Sequence, residues 1–433
     1  MLIRNVYLFD GQPLHQASDI RIKEDTVCEI GHSLSAHEQE EVLDGKGSIA
    51  LPGLTDAHRH VWQSPFKGYA ADMMLLEYLE KAIGGIGPLI SAEDLYFMNL
   101  VGYLEAASAG VTTIFDWSHI MNSPEHADAA LQAAADAGIN VLFFHSTSAI
   151  GRDKTWNNST VTHDKDIERL AGRYHNVAPN VKLGMGIRGP EFATIDVNKA
   201  DIQLANQLGI PTSMHIGSSI LGKLYKPVLQ LAEAGLLNNR MNMVHCNTLL
   251  AAEFSLMQQA DCLVTMTPEA ELQMGLGEPA TKWIADCPGL KWSVGIDIVT
   301  AATNSLFFQQ RLLLQHYRGM INNRLIDQME FPMQLPYKAN DFFFHSMQYA
   351  NAFAGFNTSA KIEEGKKACL SLVSREGLEH DSFAHHPAFY YLDESRMHTV
   401  IANGKRIKED GHWTQFDRQA LYQKISGIVK KVL

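Results

Sequence analysis

The sequence lacks several features that would place it in a specialised class of protein. Its five cysteines are odd in number and include no CxxC pair, so we expect no disulfide framework and a reducing compartment. No apolar run is long enough to cross a bilayer. The segment MLIRNVYLFDG lacks the long apolar core and small-residue cleavage site of a signal peptide. Together these absences predict a cytoplasmic protein.

Clusters of basic residues are also missing. The chain carries 36 lysines and arginines against 48 aspartates and glutamates, a net charge of −12. We therefore expect neither nucleic acid nor an anionic membrane as a partner, and a small-molecule substrate remains. No Gly-rich phosphate fingerprint follows the first strand of the long middle region, which argues against an open nucleotide-binding sheet.

Short strands separated by turns are predicted at both ends of the 433-residue chain. LIRNVYLFDG and QASDIRIKEDTVCEIG alternate apolar runs with turns. Near the other end, HTVIANGKRIKEDG contains the hairpin signal Asn403-Gly404. We expect one small β-sandwich domain, formed by residues 1–52 plus 361–433. Two unrelated β appendages are the alternative.

The middle of the chain, residues 53–360, alternates short β-rich runs with helical patterns such as NKADIQLANQLG. Such alternation predicts βα units and a parallel sheet. The eight predicted strands cover residues 53–60, 110–117, 139–146, 181–187, 210–216, 241–246, 262–267 and 292–298. Eight units favour an α/β fold of the closed (β/α)₈ type, a TIM barrel.

Polar residues end several of these strands, where barrels carry their function. The first strand ends in His58-Arg59-His60, and residues two apart on a strand point to the same side. Later strands end in His215, His245 and Asp297. Three histidines and an aspartate suit a zinc-like or iron-like ion with an open water position. The alternative is that each histidine is an ordinary buried residue whose hydrogen bonds are satisfied inside the core. This alternative loses support with each further histidine or aspartate that ends a strand.

These residues stand in motifs that resemble the amidohydrolase superfamily. LPGLTDAHRH is similar to its opening PGxxDxHxH, GVTTIFD to its second-strand GxTTxxD, and WSVGIDIVT to its eighth-strand SxGxD. KIEEGKKACLSLV and VIANGKRIKEDG resemble its C-terminal strands, with Cys369 where aspartate is usual. The cytosine deaminase and triazine hydrolase branch is the most similar.

The resemblance implies a metal-dependent hydrolase acting on a C–N bond of a small, cyclic nitrogen compound, with one divalent metal, zinc first and iron second. It implies that the metal ligands are His58, His60, His215 and Asp297. Asp297 would also accept a proton from the attacking water, and His245 would orient that water or polarise the developing oxyanion. Lys182 begins the fourth strand, whereas the two-metal branch carries a modified lysine at its end. The resemblance also implies a homo-oligomer.

One departure from the family concerns the proton shuttle. The deaminases carry HxxE after the fifth strand, and here Ser218 stands at the glutamate position. A serine cannot do the same acid–base work near neutral pH. Glu269 and Glu271 follow the seventh strand, and we expect Glu269 to be the substitute and Glu271 to matter less. His119 is the next candidate.

The remaining candidates concern substrate binding. Those that stand at or after strand ends are Trp62, Gln63, Trp117, His119 and Arg188. An amide, urea or lactam hydrolase is a close alternative to a deaminase. A metal-dependent lyase or isomerase on the same scaffold is a further alternative, kept open by Ser218.

Overall fold

A computed structural model of the chain describes residues 1–151, 156–174 and 178–433. Its strands form two sheets of eight strands each. The first four strands along the chain are β1 (Leu2–Leu8), β2 (Ser18–Lys23), β3 (Thr26–Gly31) and β4 (Val42–Pro52). The last four are β13 (Leu370–Val373), β14 (Met397–Ala402), β15 (Lys405–Glu409) and β16 (His412–Trp413).

The eight strands between them form the barrel. They are β5 (Leu54–Arg59), β6 (Val111–Ser118), β7 (Asn140–His145), β8 (Val181–Gly186), β9 (Thr212–Ile216), β10 (Met241–His245), β11 (Leu263–Met266) and β12 (Lys291–Val294). They lie in chain order, and each pairs in parallel with the next. A parallel bridge between Arg59 and Asp297 joins the end of β5 to the segment after β12. All eight predicted strands are present, so the predicted barrel is confirmed.

Helices surround the barrel and connect its strands. The described α-helices are α1 (Leu75–Tyr78), α2 (Ala92–Ser108), α3 (Pro124–Ala137), α4 (Asp166–Tyr174), α5 (Ile195–Leu208), α6 (Leu221–Tyr225), α7 (Pro227–Glu233), α8 (Ala251–Gln259), α9 (Pro268–Gln273), α10 (Lys282–Asp286), α11 (Leu306–Asp327), α12 (Ala339–Ala354), α13 (Asp381–His385) and α14 (Arg418–Val432). Thr194 caps the start of α5 through its side chain, and Gly209 ends it in the left-handed region (φ 70°), where glycine is unstrained. None of the helices in the described ranges has the length and apolar character that a bilayer span requires.

The second sheet joins the two ends of the chain. Its strand order is β16-β15-β14-β13-β4-β1-β2-β3, so β13 from the C-terminal part pairs antiparallel with β4 from the N-terminal part. Its own apolar cluster includes Ile3, Ile20, Leu370 and Ile401, all fully buried. Burial of apolar surface by strands from both ends is what holds these distant segments together. The predicted small β domain is therefore confirmed as one sheet built from both termini.

Candidate metal centre

Four side chains converge at the carboxyl end of the barrel. His58 lies near the end of β5 and His60 directly after it. His215 is the next-to-last residue of β9, and Asp297 follows β12. Their ligand atoms all lie within 4.8 Å of one another, and all four residues are largely buried. The structure thus brings together the four predicted ligands.

The spacing of these atoms fits one small metal ion. The Nε2 atom of His215 lies 3.1 Å from that of His60 and 3.2 Å from that of His58. Asp297 Oδ1 lies 3.2 Å from His58 Nε2 and 3.3 Å from His60 Nε2. Four donors about 2.0–2.1 Å from a tetrahedral ion would lie roughly 3.3–3.4 Å apart. The donor set of three imidazole nitrogens and one carboxylate is also one that zinc prefers.

The protonation states of the cluster suit ligation. Burial lowers the pKa of His58 to about 3 and the pKa of His215 well below its ordinary value. Burial opposes ionisation of Asp297, but its contacts with the His58 and His60 side chains hold its pKa well below the usual range. Neutral imidazoles and an ionised carboxylate are the forms that bind metal.

Backbone contacts aim the ligands. His60 Nδ1 lies 2.6 Å from the carbonyl oxygen of Trp117, which assigns its proton to Nδ1 and leaves the Nε2 lone pair free to bind an ion. The N–H of Asp297 donates to the carbonyl of His58 at 2.9 Å. Asp297 itself has a left-handed backbone (φ 68°). Such strain in a residue other than glycine costs of order 1–3 kcal/mol and is concentrated at functional sites.

His245 lies beside the cluster and has a carboxylate partner of its own. Its ring centroid is 5.5 Å from that of His215. Its Nδ1 is 3.3 Å from Glu271 Oε1 and 3.1 Å from the hydroxyl of Thr267. Burial alone would lower the pKa of His245, but the Glu271 hydrogen bond and the charge of Asp297 raise it above its ordinary value. Glu271 therefore orients His245 and stabilises its protonated form.

A pocket with about 610 Å³ of empty space, counted together with the open solvent at its mouth, opens onto the cluster. Polar groups lie at its floor, and its walls are largely aliphatic or aromatic. The aliphatic and aromatic wall residues are Leu75, Tyr78, Leu79, Trp156, Phe192, Leu221, Met274, Leu276 and Ile298. Among the described residues that line it, none is a lysine or an arginine. The cavity thus combines a metal-binding floor with an apolar wall, as small-molecule sites do.

Comparison with known proteins identifies the family. The model of the amidohydrolase family matches residues 49–407, most of the chain. The chain belongs to the amidohydrolase family. A similar protein is a 5-methylthioadenosine/S-adenosylhomocysteine deaminase of Thermoanaerobacter pseudethanolicus, 24% identical over 100% of this chain and 99% of the relative. A 5'-deoxyadenosine deaminase of Methanothermobacter thermautotrophicus is 22% identical over 95% of this chain and 93% of the relative.

Solved structures share the fold of this amidohydrolase. Atrazine chlorohydrolase from Arthrobacter aurescens, complexed with zinc, superposes with a TM-score of 0.83 at 20% identity, covering 99% of each chain. An adenosine deaminase from Xanthomonas campestris with bound zinc gives 0.80 at 18% identity, covering 100% of this chain and 98% of the other. The predicted class, a hydrolase of C–N bonds that binds a divalent metal, is confirmed.

Of the residues predicted to bind substrate in this amidohydrolase, only His119 lines the cavity. Its ring stacks on that of His60, with centroids 4.1 Å apart. Trp62 lies behind it and donates its indole N–H to His119 Nδ1 at 3.0 Å. Gln63 donates to the hydroxyl of Tyr78, a wall residue, at 2.5 Å.

Trp117 and Arg188 also lie outside the cavity wall. Trp117 is fully buried below the cluster and donates its indole N–H to the carbonyl of Ser213 at 3.1 Å. Arg188 donates to the hydroxyl of Ser159 at 2.9 Å and lies 3.6 Å from Asp201. The structure thus gives both side chains internal partners and places neither in the cavity lining, and their contact with substrate stays a prediction.

The structure places Glu269 outside the cavity. Its carboxylate accepts hydrogen bonds from the backbone and hydroxyl of Thr303, both at 2.9 Å, and from Gln309 at 2.7 Å. Glu269 is not part of the cavity lining, whereas Glu271 contacts His245. The helix α9 turns between these two glutamates, so they face different partners, and the effect of each on turnover stays a prediction.

Sequence reasoning missed one acidic residue at the cavity, Glu191. It follows β8, is only 6% exposed and lines the cavity. The signal that could have found it was its place after a barrel strand, in GIRGPEF. Its carboxylate is the second one in the lining, beside that of Asp297.

Proposed function

We propose that this amidohydrolase deaminates a small, neutral nitrogen heterocycle with water. The observation that carries the proposal is the cluster of three histidines and Asp297 at the floor of an apolar cavity. A divalent ion held by these four ligands would polarise water and lower its pKa towards neutrality. Asp297 would take a proton from the attacking water, and protonated His245 would donate a hydrogen bond to the oxygen or nitrogen on which charge develops.

The cavity supports a neutral substrate. A carboxylate or phosphate group is usually met by arginine or lysine, and the described lining residues include neither. Aromatic and aliphatic walls favour a flat ring with an apolar substituent. The relatives named above are deaminases of adenosine-like compounds, which is why we place deamination ahead of amide, urea or lactam hydrolysis.

Ammonia release tests this function. The protein would be loaded with zinc and assayed against aminopyrimidines, aminopurines, aminopterins and aminotriazines, each with and without an apolar substituent. We expect turnover of at least one neutral member and much weaker turnover of the same ring bearing a carboxylate or phosphate. The matched control is His58→Ala/His60→Ala, which removes two ligands. Absence of ammonia with every neutral compound, while the loaded metal stays bound, would contradict the deaminase proposal.

We also propose that the metal is a single zinc ion, with iron as the competing outcome. The nitrogen-rich donor set and the zinc-bound structural neighbours support zinc. Lys182, the lysine whose position distinguishes the two-metal branch, is the second residue of β8 and bonds to the carbonyl of Gly355, away from the cluster. Elemental analysis of purified protein measures both identity and number.

The remaining expectations stand as proposals. The family resemblance implies association, so we propose a homo-oligomer, which light scattering measures. Five unpaired cysteines support a reducing compartment such as the cytoplasm. We retain residues 1–52 plus 361–433 as the small β domain and 53–360 as the catalytic domain.

A further inference from the structure

Ser218 stands where the deaminases of the family carry a glutamate, so the usual proton-donating side chain is missing at this position of the cavity. Its side chain lines the cavity wall next to His215. Its hydroxyl oxygen is buried and has no hydrogen-bond partner among the described residues. A hydroxyl of ordinary acidity cannot hand over a proton near neutral pH as a carboxylic acid can. If the reaction is hydrolytic, another group has to protonate the leaving nitrogen.

Glu191, which follows the neighbouring strand β8, places its carboxyl group beside the backbone next to Ser218. The N–H of Gly217, the residue just before Ser218, donates to Glu191 Oε1 at 3.0 Å and to Oε2 at 3.3 Å. The carboxyl group therefore lies against the backbone that carries Ser218. Because β8 and β9 are adjacent parallel strands, their carboxyl ends meet, and a side chain from one can occupy the place left by a short side chain on the other.

The surroundings of Glu191 favour a bound proton. Burial raises the pKa of this carboxyl to about 8, and the negative charge of Glu253 adds to the effect. The hydrogen bond from the N–H of Gly217 acts in the opposite direction and lowers the pKa of Glu191. Among the salt bridges of the described residues, none involves Glu191. The other ionisable groups among the described lining residues are His60, Tyr78, His119, His215, His245 and Asp297.

The other two candidate glutamates are committed elsewhere. Glu269 is bound to Thr303 and Gln309, outside the cavity. Glu271 accepts the N–H of Thr267 at 2.7 Å and holds His245. Apart from Asp297, which belongs to the ligand cluster, Glu191 is thus the one carboxyl group among the described lining residues.

Building on the proposed deamination, we propose that Glu191 is the catalytic acid that protonates the departing nitrogen, in place of the glutamate that Ser218 replaces. Water adds its oxygen to the ring carbon, and the C–N bond breaks. The leaving amino group takes one proton from Glu191 and departs as ammonia. The proton that water loses on attack, accepted by Asp297, restores the proton on Glu191, so one water is consumed for each ammonia released.

Glu191→Gln tests this role with little change in shape, because the amide oxygen can still accept the N–H of Gly217. On a substrate found by ammonia release, we expect kcat to fall by about 10²–10⁴-fold, the usual contribution of a general acid or base. Bound metal should stay close to that of the wild type at neutral pH. Wild-type activity should decline as pH rises past about 8, the pKa of Glu191, and the residual activity of the variant should lack this decline.

Two further measurements separate a proton carrier from a structural residue. Glu191→Gln/Ser218→Glu moves a carboxyl group to the family's usual position, and we expect it to recover part of the lost turnover. In the full-length protein without substrate, the infrared difference between wild type and Glu191→Gln at neutral pH should contain the C=O band of a protonated carboxylic acid. This readout does not depend on the reaction.

The possible failures are distinguishable. Turnover close to wild type in Glu191→Gln, or loss of turnover only in proportion to lost metal, would overturn the role of Glu191 while leaving the deaminase proposal intact. An ionised Glu191 in the infrared spectrum at neutral pH would also overturn it. Absence of ammonia release with every compound, together with the protonated carboxyl band, would count against deamination and not against the proton held by Glu191.

Discussion

Replacing Glu271 with glutamine should slow turnover without removing the metal. Glu271 is fully buried and its Oε1 lies 3.3 Å from His245 Nδ1. The substitution keeps the shape of the side chain but removes the charge that stabilises protonated His245. Glu269→Gln is the matched control, because Glu269 lies on the same helix two residues away and faces Thr303 and Gln309 instead.

The size of the effect follows from the kind of hydrogen bond that is lost. A hydrogen bond to a charged group contributes about 1.5–3 kcal/mol. Since about 1.36 kcal/mol corresponds to a tenfold change in rate, its loss predicts a fall in kcat/KM of roughly 10- to 150-fold. Glu271 raises the pKa of His245, so the variant should have a lower pKa there.

The assay compares kcat/KM of wild type, Glu271→Gln and Glu269→Gln across the pH range, with the metal content of each preparation measured in parallel. We expect the control to remain close to wild type. Equal losses in both variants, or a larger loss at Glu269, would refute this account of helix α9. Loss of metal from Glu271→Gln would show instead that the carboxylate supports the ligand cluster.

Three other predictions follow from the site and the fold. His58→Ala/His60→Ala should lose both the metal and turnover, measured by elemental analysis and ammonia release, and full activity in this variant would exclude the ligand assignment. Light scattering should give a dimer or larger assembly, whereas a monomer at every concentration would exclude it. The melting temperature of Glu191→Gln minus that of the wild type should increase as pH rises from 4.5 to about 8. In the wild type, the folded protein binds the Glu191 proton more tightly than the unfolded chain does, so its stability falls as pH rises over this interval. A melting-temperature difference that stays constant with pH would contradict the raised pKa of Glu191.

Sequence alone was enough for the barrel and for the grouping of the candidate metal ligands, whose assignment as ligands came from the family resemblance. Each of the eight strands is marked in the sequence by an apolar run and by turn residues at its ends. The alternation of side chains along a strand, with a period of two, depends only on residues close together in the sequence. His58 and His60 lie two residues apart on one strand, so their shared direction follows from strand geometry. His215, His245 and Asp297 end later strands, and a parallel barrel brings all such ends to one face. Local pattern and fold class together determined this part of the site.

The direction of side chains after the strands was decided by the tertiary structure. Glu269 and Glu271 are equivalent in sequence terms, and only the path of α9 turns one towards Gln309 and the other towards His245. Likewise, Glu191 and Gly217 are 26 residues apart and meet only because β8 and β9 are neighbours. The periodicity of a strand ends where the strand ends, so beyond that point packing against other elements fixes which buried carboxyl group faces the cavity and holds a proton.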